Sequence, residues 1–275
     1  MVSDVRVPSR ERDDCLMIML TDADLYQRGA ATLLASWAAY ARGSTGAALR
    51  RLPGVAAAVF PNEPERAVYN NALLERDLTA MERAAAVEAM EAAYADAGIE
   101  GFAAWVHESE AAMRADLERR GYTLDTTTRA MGLALDDIRI PRPRIEFGPA
   151  DWSEYLRADG LPPDFLSAAD HAALHLLVAR IDGAVVAAAL AYDFDGDCGI
   201  FNVGTVEHAR RQGLATALTA VQLYDALSRG CQTASLQATP MAERVYAAAG
   251  FRDLGRFLEY LPGAPRPLRS GRGTL

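Results

Sequence analysis

The chain has 275 residues, of which 51% are hydrophobic and 24% are charged, a composition typical of a globular protein with one large or two smaller domains. Its formal net charge of −9 argues against binding to nucleic acid or to anionic membranes, because both need a positive surface. No apolar run approaches the roughly 20 residues of a membrane-spanning helix, and no stretch resembles a signal peptide, so we expect a cytoplasmic protein.

The spacing of the cysteines, histidines and aspartates does not match that of known metal-binding motifs. The three cysteines are far apart and have no CxxC spacing: Cys15, Cys198 and Cys231. They therefore predict neither a disulfide framework nor a zinc site. His171 and His175 are spaced for one helix face, but a third ligand is lacking. The acidic loop 193–197 has no glutamate at the offset that a calcium loop requires. We predict no metal.

Proline-rich segments mark the ends and the middle of the chain. The first dozen residues and the tail 262–275 lack an apolar period, and we expect both to be mobile. In the segment 140–149, IPRPRIEFGP, alternating prolines disfavour a helix or a central strand. We interpret it as a linker between a first half, residues 13–139, and a second half, residues 145–261.

Strand and helix patterns alternate in both halves. In the first half they predict a strand, an alanine-rich helix and a strand: residues 66–74, 79–97 and 101–107. The second half predicts three antiparallel strands within 174–206, joined by turn residues. A helix, a strand, a short helix and a last strand pair follow: residues 211–228, 233–238, 241–249 and the segment after Phe251. The predicted fold class is α+β, with two mixed sheets flanked by helices.

The two halves share a layout. Residues 113–135 parallel residues 242–261, and Gly121 stands where Gly250 stands. We interpret this as a duplicated domain that has diverged. Two alternatives remain open: a chance similarity of ordinary αβ segments, and an unrelated helical regulatory domain in residues 1–140.

The stretch VGTVEHARRQGLATAL, residues 203–218, joins a predicted strand to a predicted helix. Such a junction presents free backbone N–H groups and the positive end of the helix dipole at one place. Gly213 permits close backbone approach, and Ala215 leaves the first helical turn uncrowded. Arg210 and Arg211 add guanidinium groups suited to phosphate oxygens. The stretch therefore predicts a phosphate-binding loop in an otherwise acidic protein.

Together with the later segment SLQATPMAERVYAAAGF, this loop resembles the GCN5-related N-acetyltransferase (GNAT) family over about residues 145–261. The resemblance implies that the RxxGxA loop binds the pyrophosphate of acetyl-CoA. It also implies that the preceding strand splays from the next one and binds the pantetheine arm. The implied cofactor-binding residues are Phe201, Asn202, Val203, Gly204, Thr205, Arg210, Arg211, Gln212, Gly213, Leu214, Ala215 and Thr216.

The resemblance also implies catalytic groups. The backbone N–H of Val203 would stabilise the developing oxyanion, and Tyr246, four residues before Gly250, would protonate the leaving thiolate. A packed aromatic is the alternative interpretation of Tyr246. Glu207 or His208 could take up the amine proton, and both could instead be exposed residues that shape the turn. We name Glu207 as the candidate base.

The first half lacks these features. Carboxylates at Glu75, Asp77 and Glu82 replace the loop, and Leu117 stands at the position of Tyr246. Carboxylates at a helix start satisfy the helix dipole and repel a pyrophosphate. We expect a degenerate copy that supports the second half or forms one wall of an acceptor cleft. Four candidates for that wall, for which we favour a purely structural role, are Asn70, Asn71, Glu75 and Trp105.

The sequence thus predicts a tandem N-acetyltransferase that transfers an acetyl group from acetyl-CoA to the primary amine of a small molecule. A non-catalytic module that binds or senses acyl-CoA is the alternative. We expect no nucleic-acid or membrane partner, and the sequence leaves an oligomer possible.

Overall fold

A computed structural model describes residues 20–62, 69–143, 147–149, 151–158 and 171–263. The predicted mobile N-terminus lies outside these residues, as does all of the predicted tail except residues 262 and 263. Within the described ranges, no helix combines the length and the apolar character needed to cross a membrane.

The described part of the first half begins with a helix that the sequence analysis did not predict. Its elements are α1 (Asp22–Arg42), β1 (Ala48–Leu52), β2 (Val55–Val59), β3 (Asn71–Leu74), α2 (Ala80–Ala95), β4 (Ala103–His107), α3 (Ala111–Arg119) and β5 (Thr123–Ala134). The predicted strand 66–74 is shorter in the structure, and residues 63–68 lie outside the described ranges. Five of these elements are strands, so the alternative of a helical first half is wrong.

The second half follows the predicted order closely. Its elements are β6 (Gly148–Pro149), α4 (Trp152–Ala158), β7 (Leu174–Ile181), β8 (Ala184–Phe194), β9 (Asp197–Thr205), α5 (Leu214–Arg229), β10 (Thr233–Ala238), α6 (Glu243–Ala249) and β11 (Arg252–Leu261). The antiparallel meander of β7, β8 and β9 is confirmed. The predicted last strand pair is one long strand, β11, which passes through a register shift near Gly255 instead of turning back.

The α+β class is confirmed, and the two predicted sheets are continuous. The described residues form one eleven-stranded sheet in the order β1-β2-β3-β4-β11-β5-β10-β9-β8-β7-β6. The last strand of each half pairs with strands of the other half. Strand β11 of the second half lies between β4 and β5, and β5 of the first half pairs with β10. Each half therefore completes the sheet of the other.

Helices cover both faces of this sheet. On one face, α1 packs over the junction between the halves, where its Leu33 and Trp37 belong to one buried cluster with Phe60, Ala130 and Phe257. On the opposite face, α2 and α3 cover the first half and α5 and α6 cover the second. The short helix α4 lies on the same face as α1, near β7 and β8. Helix α1 therefore contacts strands of both halves.

Candidate active site

The strands β9 and β10 separate part way along their length. They pair in parallel from Asp197 and Thr233 to Gly199 and Ser235, after which both strands continue without pairing to each other. The buried Asp197 carboxylate holds the paired end together, because the hydroxyls of Thr233 and Ser235 each donate to it at 2.6 Å. The result is a wedge-shaped gap in the sheet, the geometry expected from the resemblance to acetyltransferases.

A β-bulge shapes the β9 side of the gap. The pairing register with β8 slips between Leu190–Phe201 and Ala188–Gly204, so neither Asn202 nor Val203 has a partner in the register. Asn202 has a left-handed φ of 50°, which asparagine tolerates better than most residues. Its side-chain amide donates to the Tyr155 hydroxyl of α4 at 2.8 Å. The bulge thus distorts the β9 backbone at Asn202 and Val203, beyond the point where β10 stops pairing with it.

The loop after β9 leads into a helix whose N-terminus has no side-chain cap. A short 3-10 turn, Glu207–Ala209, precedes Arg210, whose guanidinium donates to the Thr205 carbonyl at 3.1 Å. Arg211 and Gly213 both have left-handed φ values, 62° and 80°, and the second of these explains why α5 begins at Leu214 rather than at the predicted residue 211. Because no side chain caps α5, its first N–H groups are available to an anion.

In the first half, the N-terminus of helix α2 is capped by side chains. Thr79 and Glu82 form a reciprocal capping box at the start of α2, in which the Thr79 N–H donates to the Glu82 carboxylate at 2.8 Å. The Asp77 N–H donates to Glu110 at 3.1 Å. Side chains of the protein itself therefore occupy the groups that an anion would need.

A cavity of about 590 Å³ passes through the gap between β9 and β10. Residues that belong to the α5 and α6 face line one end: Ile200, Val203, Leu236 and Tyr246. Residues that belong to the α1 face line the other end: Trp37, Tyr40, Phe60, Trp105 and Phe201. Because its walls come from both faces, the cavity connects the two sides of the sheet. Both halves of the chain contribute to it.

The predicted catalytic residues divide into two groups. Val203 and Tyr246 line the cavity, whereas Glu207 is exposed on the 3-10 turn and is not among the described residues that line it. Burial raises the pKa of Tyr246 to about 12, so its hydroxyl keeps its proton at neutral pH. Tyr246 also packs edge to face on Phe251 with ring centroids 5.9 Å apart.

The predicted cofactor-binding residues lie together along β9 and around the start of α5. Phe201 to Thr205 form the end of β9, and Arg210 to Gly213 form the exposed loop. Leu214, Ala215 and Thr216 form the first turn of α5 and are partly buried. Of these residues, Phe201, Asn202 and Val203 also line the cavity. The set therefore runs from the helix N-terminus to the mouth of the gap.

Two of the four first-half candidates line the cavity. Trp105 donates from Nε1 to the Asn71 side-chain oxygen at 3.0 Å, and both residues lie in the wall. Asn70 instead accepts a hydrogen bond from the Phe60 N–H at 2.8 Å and is fully buried, which is a structural role. Glu75 is exposed at the end of β3 and is not among the described lining residues.

The sequence analysis missed one carboxylate. Glu259 of β11 lines the cavity, and its pKa is raised to about 7 by burial and by the negative charge of Asp125, against the effect of the Thr128 hydroxyl. A usable signal was present in the sequence. Phe257, Glu259 and Leu261 share one face of the strand by their alternation, and a lone carboxylate between two apolar residues on one face indicates a special environment.

His175 and Asp193, one residue from each of the two patterns near β8, belong to an ion-pair cluster with Arg229. Asp193 accepts from the Arg229 guanidinium at 2.6 Å, and His175 lies 3.3 Å from it. The Arg229 and His175 contacts hold the pKa of Asp193 well below its usual range against the opposing effect of burial. Within the described ranges, no group of three or more potential ligands is arranged for a metal ion. The side chain of His171 lies outside the described atoms.

Comparison with known proteins gives a family and a set of related folds. Residues 137–251 match the model of the acetyltransferase (GNAT) family. No curated protein matches the chain. A GCN5-related N-acetyltransferase from Kribbella flavida superposes with a TM-score of 0.65 at 18% identity, covering 90% of this chain and 97% of that one.

Two further solved structures share the fold. A GCN5-related N-acetyltransferase from Sphaerobacter thermophilus has a TM-score of 0.57 at 20% identity, covering 89% of this chain and 95% of its own. A tandem GNAT protein from the clavulanic acid biosynthesis pathway has a TM-score of 0.55 at 13% identity, covering 88% and 96%. At these identities the likeness concerns the fold, and it extends over both halves of the chain.

Proposed function

We propose that this chain transfers an acetyl group from acetyl-CoA to the primary amine of a small molecule, in keeping with the match of residues 137–251 to the acetyltransferase (GNAT) family model. The observation that carries the proposal is the cavity through the sheet: it passes between β9 and β10 and is lined by both Val203 and Tyr246. A donor on one face and an acceptor on the other can meet in that gap.

The start of α5 is the proposed site for the pyrophosphate. Backbone N–H groups there have no side-chain cap, and the exposed Arg210 and Arg211 supply positive charge. From this position the pantetheine arm would follow the end of β9, residues 201–205, toward the gap. A β-strand whose edge lacks a partner can pair with the amide groups of such an arm.

Val203 and Tyr246 are suited to the two charges that develop in the reaction. Val203 lies in the bulge of β9, beyond the point where β10 stops pairing with that strand, and it lines the cavity, so its N–H is a candidate donor to the oxyanion of the tetrahedral intermediate. The Tyr246 hydroxyl is protonated at neutral pH, since burial moves its pKa from 10 to about 12, further from neutrality. It can therefore give a proton to the departing thiolate.

We propose further that the first half, residues 13–139, is a degenerate copy of the acetyltransferase domain at 145–261, joined through 140–149. Asp77 and Arg211 stand two residues before the N-caps of α2 and α5, with φ values of 61° and 62°. A second pair of turns, after α3 and α6, also matches: Gly121 and Gly250 both have left-handed φ values. The duplicated turns support a common origin, and the capping box on α2 accounts for loss of cofactor binding.

The proposal is tested by binding and by turnover. Calorimetry should detect acetyl-CoA binding to the full chain, and CoA formation should then be measured by mass spectrometry with a panel of amines, amino acids, polyamines and aminoglycosides. The chain contains no lysine, so acetylation of its own side chains gives little background. No heat of binding with acetyl-CoA would overturn the proposal.

The alternative is a non-catalytic module that binds acyl-CoA. It predicts acetyl-CoA binding without CoA release for any acceptor in the panel. The cavity beyond Tyr246 favours the enzyme, because a sensor of the cofactor needs no aromatic-lined space on the far side of the sheet.

A further inference from the structure

The charged side chains that line the cavity among the described residues are both negative. Asp125 of β5 and Glu259 of β11 are the only charged side chains among the described residues that line it. Glu259 is partly buried and Asp125 is exposed, so the two carboxylates run from the interior to the rim. A cleft lined by one sign of charge attracts the opposite charge and repels its own.

A β-bulge turns Asp125 toward the cavity. Asp125 and Thr128 both line it, although residues three apart lie on opposite faces of a regular strand. The register explains this: Glu259 pairs with Thr126 and Tyr260 pairs with Leu124, so Asp125 is the extra residue. Because a bulge redirects the side chain of the extra residue, the carboxylate joins the face that carries Glu259.

The remaining wall is aromatic. Trp37 and Trp105 meet edge to face with centroids 5.6 Å apart, and Phe60 lies in the same wall. The Tyr40 hydroxyl oxygen is buried and has no hydrogen-bond partner within the described ranges, and Tyr40 lines the same cavity. A buried hydroxyl without a partner is unfavourable, and a polar group of a ligand would satisfy it.

We propose that the acceptor is a primary ammonium compound with an apolar or aromatic body and no carboxylate, and that Glu259 binds the ammonium group and removes one of its protons. This inference rests on the acetyl transfer proposed above. Asp125 at the rim attracts the cation, and the aromatic wall holds its body. Cations also bind favourably to the faces of aromatic rings.

The proton transfers balance. Glu259 takes one proton from the ammonium group, and the neutral nitrogen then forms a bond to the thioester carbon. As the carbon–sulfur bond breaks, the sulfur takes the proton of the Tyr246 hydroxyl. The nitrogen gives up a second proton, which restores that hydroxyl, and Glu259 releases its own proton to solvent. The products are the amide, CoA and one proton.

The surroundings of Glu259 fit this role. Burial and the charge of Asp125 raise the pKa of Glu259 to about 7, which suits a general base at neutral pH. The other titratable groups in the cavity wall are phenols: Tyr40, Tyr69, Tyr155 and Tyr246. No basic side chain of the described residues in the wall competes with the ammonium group for the carboxylate.

Binding is tested first, on the full chain saturated with CoA. Calorimetry compares 2-phenylethylamine with the neutral 2-phenylethanol and with phenylalanine, which adds a carboxylate. We expect the amine to bind at least tenfold more tightly than either. Glu259→Gln should abolish the preference over the alcohol, and the exposed Glu100→Gln, which removes the same charge elsewhere, should leave it unchanged. Equal affinities for amine and alcohol in the wild type would overturn the inference.

Kinetics then test the proton transfer. Glu259→Gln should lower kcat/KM for the amine by about 100-fold, the lower range of general base catalysis, and should remove the inflection near pH 7 from the pH profile. The Kd for acetyl-CoA should stay the same. A variant within twofold of the wild type at every pH would overturn the role as base. Ammonium binding without any acetyl transfer in the wild type would overturn the proposed function instead, while the ammonium site would stand.

Discussion

Asn202 donates a hydrogen bond to the Tyr155 hydroxyl at 2.8 Å from a backbone in the left-handed region, with φ of 50°. The bond ties the bulge of β9, which also contains Val203, to helix α4. The residue is therefore constrained both by its conformation and by its partner.

The first prediction concerns this bulge. Asn202→Gly should keep kcat within about threefold, because glycine adopts a positive φ freely. Asn202→Val should lower kcat about tenfold or more, since a β-branched residue disfavours positive φ and would straighten the strand away from the oxyanion. Steady-state kinetics at saturating acetyl-CoA distinguish the two variants. Equal activity of both would mean that the bulge has no part in catalysis.

The second prediction separates cofactor binding from backbone strain. Gly213 and Gly98 both have left-handed φ values, 80° and 71°, and a Cβ at either position would meet nothing within 4 Å. Alanine at each should therefore cost about 1 to 2 kcal/mol of stability through strain. Only Gly213→Ala should also raise the Kd for CoA, by about tenfold or more, because its methyl group stands at the entrance to the α5 N–H groups. Calorimetry on both variants provides the comparison, and the same Kd in both would contradict the assignment of the pyrophosphate site.

The third prediction concerns Tyr246. Tyr246→Phe should lower kcat by about 100-fold and leave the Kd for acetyl-CoA nearly unchanged, because only the proton donor is lost. Tyr224→Phe is the matched control: its hydroxyl donates to the Ile140 carbonyl at 3.1 Å and lies outside the cavity wall. That variant should lose some stability and keep its turnover. Full activity of Tyr246→Phe would leave Tyr246 with a packing role alone.

The fourth prediction is a pH dependence of stability. Burial, reinforced by the charge of Asp125, raises the pKa of Glu259 from its ordinary 4.5 to about 7. Between these values the folded protein binds more protons than the unfolded chain, so the free energy of unfolding contributed by Glu259 falls as the pH rises from about 4.5 to 7. The full shift corresponds to at most about 3 kcal/mol, and partial exposure of the side chain reduces it.

Urea unfolding at pH 5, 6 and 7.5 measures this contribution as the difference between the wild type and Glu259→Gln. The variant should gain stability relative to the wild type as the pH rises, because glutamine has no charge to desolvate. A constant difference across the three pH values would contradict the raised pKa.

The fifth prediction follows from the exchanged strands. A protease cut within 140–149 should leave the two fragments associated, because β5 on the first fragment pairs with β10, and β11 on the second pairs with β4. Size-exclusion chromatography of the cut protein should therefore show one species of unchanged size. Two separate peaks without denaturant would contradict the observed pairing.

Local signals predicted much of the second half. The Asp182-Gly183 pair correctly marked the hairpin between β7 and β8, and Gly230 and Gly250 correctly marked the ends of α5 and α6. These features depend on residues close in sequence, where turn and capping preferences act directly. The order of elements, and with it the resemblance to a family, followed from them.

Long-range features escaped sequence analysis. The position of β11 between β4 and β5 depends on pairing between residues more than a hundred positions apart, and the alternation within the strand is the same for any neighbour. Helix α1 was missed although its buried residues recur at helical spacing, and although Thr21 and Asp24 form a capping box that could have marked its start.

The exchange of strands sets a limit on how small a working catalyst can be made from this chain. The stretch matched by the family model, residues 137–251, stops short of β11 and begins after β5, so a gene encoding that stretch alone would leave the β10 edge bare. Thr233, Ala234 and Leu236 on that edge are buried in the intact protein, and an uncovered apolar edge recruits other chains. Truncation would therefore yield aggregates, because β5 of the first half covers the β10 edge in the intact chain.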